Sequence, residues 1–346
     1  MRALLLAEYR RFELADLAAP EPAPGEILIQ VAACGICGSD VHGYDGSSGR
    51  RVPPIVMGHE AAGIIAALGT GVTGFFAGER VTFDSTVYCG ECAYCCRGEI
   101  NLCDRRQVLG VSCGDYRRAG AFAEFIVVPA RIVYRLPDNF PFAEAAMLEA
   151  VAVALHAVSL VSVSPHSTAL VVGAGTIGLL VQQALRAAGC ARVFVTDVDD
   201  ARLQRSLELG ATAAIVAGKD FNGELQGLTN GTGVDIAVEA VGNNQAVNTA
   251  IASVRKGGRV VLVGNISAEV TLPLQKVVTR QLRLQGSCAS AGEYPRAIEL
   301  LSTGAISVKP LITTVAPLEE GPQWFERLYR REPNLMKVVL TPGVKQ

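Results

Sequence analysis

Gly173-Ala174-Gly175-Thr176-Ile177-Gly178 stands between a continuous apolar run, Ala169–Gly173, and a helix-forming stretch, Thr176–Ala188. Glycines at these three spacings on a strand-to-helix turn have separate uses. The first makes the turn, the second lets a pyrophosphate approach the backbone, and the third lets the helix pack on the strand. Thr176 and Ile177 open the helix and are counted with them. Further on come apolar strands at Arg192–Thr196, Ala213–Val216, Val234–Ala240 and Arg259–Gly264, with helices at Asp200–Leu209 and Asn244–Val254. Strands without polar alternation, separated by helices, bury both faces only in a parallel sheet covered on both sides. Residues 146–286 are therefore expected to form a doubly wound α/β unit of the Rossmann kind.

The strand Arg192–Thr196 runs into Asp197, about 20 residues past the glycine turn, where a carboxylate accepts hydrogen bonds from a ribose and repels a 2′-phosphate. This favours NAD over NADP. Asp199 and Asp200 compete with Asp197, but Asp200 reads as the helix cap. Arg202 is the one nearby group that could instead welcome a phosphate.

Residues 1–145 have another texture. Short apolar segments at Glu26–Ala33, Ala61–Leu68, Arg80–Phe83 and Ala121–Val128 are separated by turns such as Pro22-Ala23-Pro24-Gly25, which suggests a small β-barrel with loops. Residues 287–346 contain a helix at Ala291–Ser302 and strands at Ile312–Val315 and Lys337–Leu340, and are expected to return to that first domain. Lys plus Arg total 31 against 33 Asp plus Glu, so no positive field is available for a nucleic-acid backbone. The apolar start is cut by Glu8, which leaves too short a run for an export signal. An uncharged stretch from Ala150 to Leu185 is split by Ser164-Pro165-His166-Ser167, and its halves read as buried core rather than as a membrane span. The expectation is a cytoplasmic protein that binds neither nucleic acid nor membrane.

In that compartment ten cysteines point to metal or redox chemistry rather than to disulfides. Cys89, Cys92, Cys95 and Cys103 have the spacing C-x2-C-x2-C-x7-C, within about 86–105. Four thiolates close a tetrahedral shell around Zn2+ and leave no open position, which makes such a site structural. Cys96 is the spare; an iron–sulfur cluster and a nucleic-acid-binding finger are the minor alternatives.

A second cluster is Cys34-Gly35-Ile36-Cys37-Gly38-Ser39-Asp40-Val41-His42, followed by Gly58-His59-Glu60. GICGSDVH, then GHEAAG, then the four-cysteine lobe, then GAGTIG resembles the order of motifs in the zinc-containing medium-chain alcohol and polyol dehydrogenases. The resemblance spans nearly the whole chain. It implies a GroES-like β-barrel catalytic domain beside the Rossmann domain, and hydride transfer between a secondary alcohol and NAD with two Zn2+ per chain. Cys37 and His59 then correspond to catalytic-zinc ligands, and the third is Glu149 or Glu60. Asp40 orients His59. Ser39 and His42 carry the substrate proton to water. Val241, Gly264 and Asn265 face the cofactor, and Lys337 approaches its pyrophosphate. Cys34 is packed and carries no metal.

The substrate expected from an oxygen-rich metal site is a small polyol, diol or sugar alcohol. A hydroxy amino acid or an acidic or phosphorylated sugar alcohol is the alternative, for which Arg50 and Arg51 could supply guanidinium groups. Both arginines are expected instead to be solvated in their loop, and His156 and His166 to be structural. A cofactor-binding sensor without catalysis is a third reading. A homodimer or homotetramer is expected.

Overall fold

The computed structural model describes residues 1–113 and 116–343. The chain forms two compact units. One comprises Met1–Glu149, Tyr294–Ser302 and the segment from Val308 onward; the other comprises Ala150–Glu293 and Thr303–Ser307. The first junction falls just inside the helix Leu148–Ser159, an apolar run with no glycine or proline to mark a boundary in the sequence. The tail 287–346, expected to return whole to the first domain, is divided, with residues 287–293 and 303–307 in the second unit. The helical stretch Phe142–Ser159 is apolar enough to cross a membrane by length and composition, but most of it is buried inside the protein.

In the first unit the strand Glu26–Gly35 is the hub, with Ile27, Ile29 and Val31 fully buried. Along its length it pairs antiparallel with Glu60–Leu68. On its other side lie Phe125–Pro129 next to its first half and Lys337–Thr341 next to its last two residues. These strands belong to a seven-stranded sheet. A three-stranded sheet, Arg2–Glu8, Arg11–Asp16 and Ile55–Val56, adds Leu4 and Leu6 to the same core, where Phe325 packs against Phe12, Tyr44 and Phe122.

The register of the hub strand assembles the chemistry. Gly35 lies opposite Glu60 on one side and Val339 on the other. With about 3.3 Å per residue along a strand, Cys37, His59 and Lys337 are therefore held within a few ångströms of that line although they are far apart in sequence. At Gly35 a side chain is excluded, since a Cβ would stand 2.3 Å from Glu60 Oε2. Beyond it the chain turns into the helix Gly38–Tyr44, with Cys37 as its extended N-cap residue.

The second unit is a six-stranded parallel sheet in the order Ala213–Val216, Arg192–Asp197, Thr168–Val172, Val234–Glu239, Val254–Leu262, Arg283–Gly286. The strand order reverses next to Thr168–Val172, which leaves a crevice at the carboxyl ends of that strand and Val234–Glu239. The helix Thr176–Ala187 turns Leu179, Leu180, Val181 and Ala184 into the interior. The helix after Asp197 is capped by Asp199, not Asp200: its carboxylate accepts from the N–H groups of Ala201 and Arg202 at 2.9 and 3.2 Å. Asp200 is already helical, so the extended residue before it is the one placed to cap.

Candidate active site

Cys37, His59 and Glu60 bring a sulfur, an imidazole nitrogen and a carboxylate oxygen within 4.8 Å of one another. This soft-and-hard donor set is one that zinc accepts, and His59 and Glu60 are buried where an unpaired charge is costly. Burial disfavours a protonated His59, but Asp40 and Cys37 outweigh it and hold the imidazole pKa well above its usual value. A cation therefore has a place prepared for it. His59 Nδ1 lies 3.4 Å from Asp40 Oδ1, so the ring nitrogen facing away from Asp40 is the one left for a metal.

Glu149 stands outside that trio. Ser85 Oγ donates to its Oε1 at 3.4 Å. Burial pushes its carboxyl up to about 7, with Glu60 and Asp84 adding to the effect. Glu60, in contrast, is paired. Lys337 Nζ donates to its two oxygens at 2.9 and 2.6 Å and to the Ile36 carbonyl at 3.1 Å. The Lys337 side chain is only 3% exposed, and the pairing of its strand with Glu26–Gly35 carries it to the metal donors.

Ser39 and His42 are both exposed, three residues apart on the helix Gly38–Tyr44, a spacing that makes them neighbours on its surface. Arg50 is exposed, whereas Arg51 is 3% exposed, which overturns the expectation of two solvated loop arginines. Arg51 Nε and Nη2 donate to Asp40 Oδ1 at 3.2 and 2.9 Å, and Nη2 also donates to Ser39 Oγ at 3.2 Å. The guanidinium is spent inside the protein and is not offered to an acidic substrate. Cys34 is fully buried, packed where a Cβ on Gly58 would touch its sulfur, and burial keeps its thiol protonated.

The four-cysteine lobe gathers Cys89, Cys92, Cys95 and Cys103 within the same 4.8 Å limit. Cys96 is exposed and turns its thiol toward the Glu91 carbonyl at 3.6 Å. Backbone N–H groups of Glu91 and Cys92 point at Cys89 Sγ and pull its pKa down to about 6, which favours the thiolate that a metal needs. At Cys95 burial and the neighbouring thiols outweigh a backbone hydrogen bond from Gly90 and raise the pKa to about 12.

In the second unit, Gly173 adopts φ +100°, and a Cβ on Gly178 would stand 1.8 Å from the Gly173 carbonyl. A Cβ on Gly175 would meet nothing within 4 Å, so this position faces open space at the start of a helix. Asp197 ends its strand as expected, but part of its carboxylate is used by the protein: Oδ2 accepts from Ala174 N–H at 2.6 Å and Oδ1 from Asp199 N–H at 3.1 Å. Each oxygen keeps a lone pair. Arg202 is exposed, with Nε 3.7 Å from Asp199. Val241 packs on Gly173, Gly264 abuts Gly242, and Asn265 is exposed at the same end of the sheet. His156 is buried and bonded to Glu293 at 2.7 Å, while His166 is exposed.

Sequence reasoning missed Glu239. Its side chain is fully buried, and its Oε1 accepts from the N–H groups of Val241 and Gly242 at 2.7 Å each, shaping the turn beside Gly173. The available signal was a carboxylate closing an otherwise apolar strand.

Residues 23–138 match the alcohol dehydrogenase GroES-like domain, and residues 176–303 match the zinc-binding dehydrogenase domain. The sorbitol dehydrogenase of Bacillus subtilis strain 168 is 35% identical over 348 residues, covering 99% of this chain and 98% of that protein. An alcohol dehydrogenase from Escherichia coli CFT073, complexed with NADH, superposes with a TM-score of 0.91 at 31% identity, covering 99% of both chains. A Sinorhizobium meliloti 1021 protein bound to NADP superposes with a TM-score of 0.88 at 30% identity, again covering 99% of both.

Proposed function

Since the chain belongs to the zinc-dependent medium-chain alcohol and polyol dehydrogenases, we propose that it oxidises a secondary hydroxyl of a small polyol, diol or sugar alcohol with NAD+. The observation that carries this reading is the buried donor group of Cys37, His59 and Glu60, with Glu149 nearby as an exchangeable carboxylate. When bound, zinc supplies a Lewis acid for the substrate hydroxyl, and NAD+ the hydride acceptor.

The residues of the chain divide the remaining work. Cys37, His59 and either Glu60 or Glu149 hold the catalytic metal. Asp40 fixes the His59 ring. Ser39 takes the substrate proton and His42, exposed on the same helix face, hands it to water. Cys89, Cys92, Cys95 and Cys103 hold the second zinc. Gly173, Gly175, Thr176, Ile177 and Gly178 receive the pyrophosphate, Asp197 the adenosine ribose, and Val241, Gly264 and Asn265 the nicotinamide end. The burial of Arg51 removes the main support for an acidic substrate.

The cytoplasm is the proposed compartment, supported by nine described cysteines that are all free thiols. Self-association is proposed as well. Arg283–Gly286 is the outer strand of its sheet, and Leu272, Leu274 and Val278 are exposed in the segment before it. Light scattering on the purified protein tests the latter.

The test of function is turnover of a panel of sugar alcohols, diols and simple alkanols with NAD+ and NADP+, alongside metal analysis. Two zinc ions per chain and selective oxidation of vicinal polyols are expected. A zinc-free protein, or equal turnover of ethanol and every polyol, would refute the proposal.

A further inference from the structure

Arg51 poses a physical question that the metal donors do not answer. A guanidinium cannot shed its charge, and removing it from water is costly unless its donors are matched by acceptors. Here the burial is specifically accommodated. A Cβ on Gly43 would stand 2.0 Å from Arg51 Cγ, so the helix Gly38–Tyr44 leaves a gap on the face where this side chain enters. Inside, Nε and Nη2 both meet Asp40 Oδ1, Nη2 reaches Ser39 Oγ, and Nη1 donates to the Arg50 carbonyl at 3.4 Å.

Both partners belong to the proposed chemistry. Asp40 is fully buried; its Oδ2 accepts the Cys37 N–H at 3.3 Å and its Oδ1 faces His59 Nδ1. One carboxylate thus touches the backbone of one metal donor and the ring of another. Arg51 Nε and Nη2 both donate to Oδ1 and the Cys37 N–H to Oδ2, so three N–H groups converge on this carboxylate besides the His59 ring. With donors on both its oxygens Asp40 presents an acceptor to the ring, and the nitrogen facing it, Nδ1, is the one placed to carry the imidazole proton.

At Ser39 the hydrogen bond has a fixed direction. Arg51 has only donors, so Ser39 Oγ must accept from it and cannot give its own proton there. One lone pair is used by Arg51 and one is left. The remaining lone pair can take a proton from a substrate hydroxyl only as the Ser39 O–H bond releases its proton to the next acceptor. Nothing accumulates on Oγ, and the proton moves one way along the chain of acceptors.

We propose that Arg51 is a positioning residue of this dehydrogenase: it locks Asp40 against His59 and orients the Ser39 hydroxyl for outward proton transfer. The inference rests on the functional reading above, so its test includes a measurement that needs no turnover.

Arg51→Ala should weaken zinc at the catalytic site by about 10–100-fold in chelator competition, with the four-cysteine zinc unchanged. Added millimolar guanidinium should restore that affinity. Arg51→Lys keeps one charge but cannot span Asp40 and Ser39. It should retain zinc and fold, lose about tenfold in kcat with little change in KM, and show an alcohol-oxidation profile displaced to higher pH. A wild-type pH profile and kcat in Arg51→Lys would overturn the role at Ser39. Unchanged zinc affinity in a folded Arg51→Ala would overturn the role at His59. If the protein binds two zinc ions yet oxidises no alcohol, the chelator measurement still decides the second point.

Discussion

Lys337 Nζ lies 2.6 Å from Glu60 Oε2, and the two side chains, 3% and 1% exposed, are separated by 277 residues of chain. Each makes the burial of the other tolerable. Lys337→Met should leave an uncompensated carboxylate and cost about 3–5 kcal/mol in denaturant unfolding, whereas Lys337→Met combined with Glu60→Gln should regain most of it. A loss below about 1 kcal/mol in the single variant would show that water reaches the pair.

The two cysteine clusters should respond differently to substitution. Cys92→Ala opens a closed shell whose metal binding is worth on the order of 10 kcal/mol of folding free energy, so soluble expression should collapse. Cys37→Ala should remain folded, carry one zinc fewer and be inactive. Cys96→Ser should keep both zinc ions, since its thiol lies outside the group. Zinc content by elemental analysis reads all three.

Asp197 should set the choice of cofactor. Asp197→Ala removes ribose acceptors and a repelling charge, so NAD+ should lose about 1.5–3 kcal/mol of charge-assisted hydrogen bonding in kcat/KM while NADP+ gains. The Ala174 N–H loses its acceptor too, so some loss with both cofactors is expected. A wild type that already prefers NADP+ would contradict the reading of this strand end.

Glu149 offers a pH signature. Its carboxyl is raised from the usual 4.5 to about 7 by burial, so the metal-free folded protein holds a proton that the unfolded chain releases. Stability of the metal-free protein should therefore fall as pH rises from about 4.5 to 7, and Glu149→Gln should flatten that slope. If Glu149 is the third ligand, zinc binding at pH 6 should also release a proton that the Gln variant does not. Equal proton release from both proteins assigns the ligand to Glu60.

The legible parts of this protein are those whose chemistry is local. Gly173 to Gly178, Cys89 to Cys103 and Cys37 to His42 each carry their spacing within a single turn, loop or helix. The partners of Lys337, Arg51 and Glu239 were not legible, for a shared reason. Each is a charge whose role depends on a partner that periodicity cannot supply: a strand returning from far along the chain, a gap left by Gly43, and a pair of backbone N–H groups beyond a strand end. The boundary between the units was blurred because it falls inside the helix Leu148–Ser159. Asp199 replaced Asp200 as cap because a helix start shifted by one residue moves the capping position with it.

The return of the strand Lys337–Thr341 to the hub also has a consequence for synthesis. The ribosome delivers Glu60 long before the lysine that neutralises it. At about 5–20 residues per second, a separation of 277 positions represents roughly 14–55 s during which the nascent chain carries Glu60 without Lys337. The Rossmann unit can be completed in that interval, but the domain begun first must be finished last. Ribosome-bound chains stalled before Lys337 should accordingly yield to protease throughout residues 26–68 while the glycine-turn unit already resists it.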